Sequence, residues 1–345
     1  MANRIRLALV GTGAIAKAYA EAVAGSEVAV LAAACDTSAD AVTDFSAAAS
    51  CSPYTSLGNM ISHEKLDAVI ICTPPATHET IALSAMRAGL HVLCEKPLTV
   101  DVASACRIIQ ASLSHRVLLT MASKFRFVSD VRKAREILAN GAIGDLVLIE
   151  NAFTSHVDMS RRWNSNPAVS GGGVLIDNGT HAVDILRFFM GQLCDVQIFE
   201  GRRVQSVAVE DTVRLFVRNG AGAIGTSDLS WSINKELDHF LRIYGSHGTI
   251  LVGWKESRYK RADSNDWIVI GSGYDKVSAF RKQIENFSDA IAGRGTIELT
   301  ASDALASVEV IAAAYAALRA SRWKKVKATF DGAAFPVAEL EVAAI

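Results

Sequence analysis

No run in this chain approaches the roughly 20 apolar residues that a bilayer-spanning helix needs, so nothing reads as a membrane segment. Arg4 and Arg6 precede Leu7-Ala8-Leu9-Val10 in the manner of a secretory leader, but the apolar stretch is too short, and Gly11, Gly13 and Lys17 interrupt it. An excess of charge of one sign is missing as well. With 35 Lys and Arg against 36 Asp and Glu, the formal charge is -1, which leaves no basic footprint for nucleic acid. The six cysteines, Cys35, Cys51, Cys72, Cys94, Cys106 and Cys194, show no C-x-x-C spacing and sit mostly in apolar patterns. They read as buried thiols, which argues against a disulfide framework or a zinc site. Internal repeats and low-complexity segments are also absent. What remains is an ordinary globular composition, half hydrophobic and 21% charged. A length of 345 residues predicts about two domains. The expectation is a cytoplasmic protein whose partner is a small molecule, with no nucleic acid and no membrane.

The chain begins with an apolar run, Ile5 to Val10, followed at once by Gly11-Thr12-Gly13-Ala14-Ile15-Ala16 and a helical pattern to about Ala24. Strand, G-x-G-x-x-A and helix in one βαβ unit form a dinucleotide fingerprint. The first glycine makes the turn, the second admits a pyrophosphate to the backbone, and the third small residue packs helix on strand. The helix start at Ala14 and Ile15 offers free N–H groups and partial positive charge to phosphate. A second strand, Val28 to Cys35, ends in Asp36, at the spacing of an acid that binds the adenosine ribose. No arginine stands beside Asp36 to receive a 2'-phosphate, so NAD is expected over NADP. Asp36 also serves as a plausible cap for a helix from Ala39 to Ala49.

Strand and helix patterns keep alternating: a buried strand at Ala68 to Cys72, a helix at Thr77 to Ala88, a strand at His91 to Glu95 that delivers Lys96, a helix at Asp101 to Ser114 and a strand at Val117 to Met121. This is the pattern of an α/β domain with a parallel sheet. Pro97 biases Lys96 towards extended backbone and ends its strand there, placing an ammonium at a strand's carboxyl end, where open parallel sheets bind ligands. After Ala122 the pattern changes to helix, strand and loop. Gly171-Gly172-Gly173 then feeds a helix from Leu175 to Met190, with Asp177, His181 and Asp184 at i, i+4 and i+7 on one face. Strands follow near Val196 to Val204, Thr212 to Val217, Ala223 to Trp231, Phe240 to Tyr244 and Thr249 to Val252. Two helices, Lys276 to Ala292 and Ser302 to Ser321, complete the pattern. Apolar positions along Thr212 to Val217 and Ala223 to Trp231 are expected to exceed what one helix layer covers.

Four of these stretches, in one order over nearly the whole chain, resemble the Gfo/Idh/MocA oxidoreductases: G-T-G-A-I-A from Gly11, Thr73-Pro74-Pro75-Ala76-Thr77-His78, Glu95-Lys96-Pro97, and Gly171-Gly172-Gly173 through Asp177 to His181. The resemblance implies an N-terminal Rossmann dinucleotide-binding domain, residues 1–122. It further implies a C-terminal α/β domain, residues 123–345, for substrate binding and oligomerisation, with a large, mainly antiparallel sheet open on one face. Assembly as a homodimer or homotetramer through that sheet is implied too. Carried over by position, Lys96 corresponds to the catalytic lysine, Asp177 to the substrate-binding acid and His181 to the acid/base histidine. Thr73, Pro74, His78 and Glu95 fall beside the nicotinamide, and Arg126 in Ser123-Lys124-Phe125-Arg126-Phe127 is placed to reach substrate. Trp163 either stacks on a sugar face or closes the core. Asn178, at a position that varies in the family, joins Arg126, Trp163, Asp177 and His181 on the candidate substrate side.

Family members usually act on sugars, sugar derivatives or cyclitols, so the resemblance implies an NAD-dependent dehydrogenase working on a secondary hydroxyl. Hydride loss from a carbinol carbon leaves an alkoxide, which calls for a proton acceptor and a cation near the oxygen. Histidine titrates near neutral pH and suits the first task; a fixed ammonium suits the second. A lysine with a lowered pKa serves equally well as the base, and the residues alone do not divide the proton between Lys96 and His181. His156, Asp158, Asp177 and His181 are conceivable metal ligands, but hydride chemistry with a lysine needs no metal, and none is expected. Rival readings are a reductase of another carbonyl, imine or dihydrodiol compound, a glycosidase working through transient oxidation, and a non-catalytic NAD-binding regulator.

Overall fold

The computed structural model describes residues 4–329. Chain contacts divide it into two compact units, residues 4–122 with 280–306, and residues 123–279 with 307–327.

The first unit is a doubly wound α/β sheet. Its elements run β1 (Ile5–Val10), α1 (Ala14–Ala24), β2 (Ala29–Cys35), α2 (Ala39–Ala49), β3 (Ser52–Tyr54), α3 (Leu57–His63), β4 (Ala68–Ile71), α4 (His78–Arg87), β5 (His91–Cys94), α5 (Val102–His115) and β6 (Leu119–Met121). The strands are parallel in the order β3-β2-β1-β4-β5-β6. The order reverses between β1 and β4, and ligands of such sheets bind outside the carboxyl ends of the strands at that switch point. All four residues of β4 are buried, as expected of a strand covered on both faces. Caps set the helix starts: Ser38 accepts from the Ala41 amide and Asp101 from the Ser104 amide. Asp36 is therefore not the cap of α2.

The second unit holds α6 (Ser129–Ala139), β7 (Leu146–Thr154), α7 (Pro167–Ser170), α8 (Val174–Met190), β8 (Leu193–Glu200), β9 (Thr212–Asn219), β10 (Ile224–Ser230), β11 (His239–Gly245), β12 (Gly248–Gly253), β13 (Ser257–Arg261) and β14 (Ile268–Gly271). Then come α9 (Lys276–Ile291), which belongs to the first unit from Phe280 on, α10 (Ala301–Ala320), which belongs to the second from Ser307 on, and β15 (Lys324–Lys325). Nine strands form one sheet, β14-β13-β12-β11-β7-β10-β9-β8-β15. Its pairs are antiparallel except β7 with β10. Helix α8 lies against β7, β9 and β10.

Two expectations need correction, and a third holds in part. A single cut at 122 misassigns residues 280–306, because Phe280, Ile284 and Phe287 of α9 are buried in the first unit's core with Tyr19 and Leu7; residues 330–345 of the expected second domain lie outside the described residues. Helix α10 is long and apolar enough, by length and composition, to cross a membrane, with half of it buried inside the protein. Its alanines and valines outweigh its few charges. The expectation for β9 and β10 holds in part: Val213, Leu215, Val217 and Leu229 are buried, whereas Phe216 is half-buried and Ile224 exposed. The opposite sheet face carries cross-strand ion pairs instead, Arg214 with Asp228 at 2.9 Å, Arg218 with Asp195 at 2.7 Å and Arg242 with Glu150 at 4.0 Å. Among them stand exposed apolar side chains, Phe199, Ile224 and Val269.

Candidate active site

In the first unit, the glycine-rich turn is built by contact with the neighbouring strand. Gly11 has φ +94°, and a Cβ there would lie 2.8 Å from the Thr73 amide nitrogen, so both backbone and space require glycine. Gly13 is the opposite case: its backbone is ordinary and nothing lies within 4 Å of where its Cβ would be. Helix α1 starts there with no side-chain cap and no acid in its first turn, leaving the amides at Ala14 and Ile15 and the positive end of the helix for an anion. An open approach at Gly13 above an uncapped helix fits the pyrophosphate of a dinucleotide.

Asp36 follows β2 and reaches back to this turn. Its Oδ2 accepts from the Thr12 amide at 2.8 Å and the Thr12 hydroxyl at 2.9 Å, and its Oδ1 accepts from the Ser38 amide at 3.0 Å. Partial burial works against the charged form, but these bonds prevail and hold its pKa below the usual carboxylate value. The Thr37 amide bonds the carboxylate as well, so its roughly four acceptor positions are taken and a ribose hydroxyl binds in place of one of these donors. With the Thr12 hydroxyl turned away, the carboxylate has room for one ribose hydroxyl, and the expectation that it serves both requires a second donor to leave.

At the ends of β4 and β5 the predicted residues hold one another. His78 is fully buried, with Nδ1 2.9 Å from the Pro97 carbonyl oxygen and Nε2 2.8 Å from the Thr73 carbonyl oxygen. The ring thus sits between the Thr73-Pro74 turn and the Lys96-Pro97 turn, whose peptide bond is cis, and as a neutral imidazole it donates to one of the two carbonyls. Burial lowers its pKa, against those bonds and the charge of Glu95. Glu95 accepts from the Tyr19 hydroxyl of α1 at 2.8 Å and from the Lys96 amide at 3.0 Å. Both its oxygens are therefore engaged in fixing the backbone that carries Lys96. Burial, then Glu95, raises the thiol pKa of both Cys72 and Cys94, keeping these two neighbours protonated and unreactive.

In the second unit, α8 presents Asp177 in its first turn and His181 one turn on, both half-buried. The imidazole packs edge-on to Phe125, with ring centroids 5.2 Å apart at 80°. Phe125 in turn stacks on Phe153 and Tyr274, giving the histidine an aromatic wall. Asp184, the third member of the stripe, turns inward. It is fully buried, paired to Arg126 at 2.7 Å and accepting from the Ser123 hydroxyl at 2.5 Å. The expectation of substrate contact for Arg126 is revised accordingly: it is buried and its guanidinium holds Asp184, with the Phe188 ring 5.4 Å away. Trp163 is 44% exposed in a loop turn, so it does not close the core. Asn178 is half-buried, its amide 3.4 Å from the Phe153 carbonyl. His156 is exposed, as is Asp158, which accepts from the Ser160 amide. Among the described residues, no three of His, Cys, Asp and Glu gather as metal ligands.

Residues 5–123 match the family model described as "Oxidoreductase family, NAD-binding Rossmann fold", and residues 131–251 match the GFO/IDH/MocA C-terminal domain. The chain belongs to the Gfo/Idh/MocA oxidoreductases. Its first unit is the NAD-binding Rossmann fold of that family. The rhizopine catabolism protein MocA of Rhizobium meliloti is 28% identical, over 90% of this chain and 94% of its own length. An inositol 2-dehydrogenase of Rhizobium meliloti is 24% identical, over 90% of this chain and 96% of its own length. Among solved structures, GenD2 from gentamicin A biosynthesis in complex with NAD superposes with a TM-score of 0.84 at 26% identity, covering 95% of this chain and 98% of that one.

Two features of this Gfo/Idh/MocA chain escape sequence reasoning. Tyr19 holds Glu95 from α1, 76 residues away. Glu210 and Tyr315 pack on the glycine run before α8: a Cβ at Gly172 would run into the Tyr315 hydroxyl, and one at Gly173 into the Glu210 backbone. A faint signal for the second exists, since α8 begins after glycines with no Ser, Thr, Asp or Asn in the capping position. Its cap must come from elsewhere.

Proposed function

We propose that this chain is a cytoplasmic NAD-dependent dehydrogenase that oxidises or reduces one secondary hydroxyl of a sugar, sugar derivative or cyclitol. The reading rests on an acid and a histidine one turn apart on α8, in a family whose first domain binds NAD. Similarity to an inositol 2-dehydrogenase along most of both chains supports the substrate class. Bound NAD supplies the hydride acceptor. Lys96, fixed through Glu95 and the Pro97 turn, stabilises the alkoxide oxygen with its ammonium. His181 takes the hydroxyl proton as general base, and Asp177 orients the imidazole or holds a second hydroxyl. A screen of NAD reduction against aldoses, inositols, sugar phosphates, nucleotide sugars and a trans-dihydrodiol tests this. Turnover is expected on a sugar or cyclitol. A protein that binds NAD but turns over none of the panel is a regulator and not this enzyme.

Asp36 sets the cofactor preference. Its carboxylate stays ionised and repels a 2'-phosphate, while the acceptor position now facing the Thr12 hydroxyl suits a ribose hydroxyl. Asp36→Ser combined with Thr37→Arg is expected to shift kcat/KM from NAD towards NADP. Equal or better kcat/KM with NADP in the unaltered protein overturns the assignment.

Homo-oligomerisation is proposed through the sheet face opposite α8. Exposed Phe199, Ile224 and Val269 lie there among ion pairs, the mixture of apolar area and paired charge that protein interfaces use. Light scattering at micromolar concentration is expected to give a multiple of the chain mass, and a strictly monomeric mass contradicts it.

A further inference from the structure

The start of α8 is held largely by one distant residue. The Gly173 amide donates to Glu210 Oε1 at 3.0 Å, the Leu175 amide to the same oxygen at 3.2 Å, and the Val174 amide to the Glu210 carbonyl at 2.9 Å. Three of the amides that a helix start leaves without helical partners thus end on one residue. Gly173, in the capping position, has no side chain to do this. Glu210 is only 5% exposed. Its Oε1 also accepts from the Tyr315 hydroxyl of α10 at 2.7 Å, which ties the carboxylate to that helix. Glycine at 172 and 173 is what lets the helix start come this close.

We infer that Glu210 is a positioning residue for Asp177 and His181: its carboxylate, 37 residues further along the chain, replaces the missing N-terminal cap and sets where α8 begins. The Asp177 amide already donates to the Gly173 carbonyl at 3.1 Å, so Asp177 sits on the first turn that this anchor defines, and His181 follows one turn later. A helix is stiff along its axis; a shift at its anchored end moves both side chains together. The requirement is for reach, an acceptor at the Oε1 position, more than for charge.

The inference rests on the catalytic reading of α8, and Glu210→Gln and Glu210→Asp test it apart from that reading. Glutamine keeps the length and the acceptor but loses the charge; aspartate keeps the charge and withdraws the acceptor by one methylene. Glu210→Gln is expected to retain the wild-type kcat. Glu210→Asp is expected to lose roughly 10-fold to 10²-fold in kcat, the scale of a displacement of about 1 Å, with NAD affinity unchanged. In the same variant the Gly173 and Leu175 amides should exchange faster with solvent, and the His181 ring resonances should move in NMR spectra, while Glu210→Gln leaves both as in the wild type. A wild-type rate in Glu210→Asp, or equal losses in the two variants, overturns the inference. If His181→Ala keeps full rate, the catalytic reading is what fails; the amide exchange and ring resonances then still decide whether Glu210 positions the helix.

Discussion

Replacing His181 by alanine is expected to lower kcat by roughly 10²–10⁴-fold, the range for loss of a general acid/base, while NAD affinity stays nearly intact. The separation follows from where the residues lie: the glycine turn, Asp36 and His78 belong to the first unit, and His181 stands on α8 in the second. Lys96→Ala is expected to lower kcat by a similar order, about the loss on removing one oxyanion donor, and to disturb NAD binding modestly because it sits on the turn that His78 and Glu95 fix. Both expectations hold where chemistry limits turnover, so a primary deuterium isotope effect on the wild-type enzyme comes first. A full-rate His181→Ala enzyme under those conditions removes the histidine from the mechanism. A full-rate Lys96→Ala enzyme removes the lysine.

The two glycines of the fingerprint are expected to fail in different ways. Gly13→Val should fold with a Tm near that of the wild type, because the added side chain meets open space and the backbone there suits any residue. It should nevertheless abolish NAD binding, since the valine occupies the approach of the pyrophosphate. Gly11→Val should instead lower stability whether or not NAD is present. A positive φ in a non-glycine residue costs about 1–3 kcal/mol, and the new Cβ would press on the Thr73 backbone. Thermal unfolding with and without NAD, together with NADH fluorescence titration, separates the two. Wild-type NAD affinity in Gly13→Val would show that the turn does not hold the pyrophosphate.

The cofactor half of the site was legible in the sequence because its determinants are local. A strand, two glycines and a helix within about 20 residues carry their own geometry, as does an acid at the end of the next strand. Short or charged elements were not legible. β3 (Ser-Pro-Tyr) is three residues long and contains a proline, and β13 (Ser-Arg-Tyr-Lys-Arg) has no apolar alternation. Both exist because a neighbouring strand offers hydrogen bonds, which periodicity does not record.

By itself the sequence determined the α/β class, the dinucleotide turn, Lys96 at the end of β5 and the spacing of Asp177 and His181 on one helix. Each follows from backbone period or from the steric demands of glycine and proline within a few residues. Only the tertiary structure decided which polar groups are occupied inside the protein. Arg126 and Asp184 neutralise each other across 58 residues, Glu95 is shared between Tyr19 and the Lys96 amide, and Glu210 caps α8 from β9's threshold. A buried charge must find a partner wherever the fold brings one, and chain spacing carries no record of which partner that is.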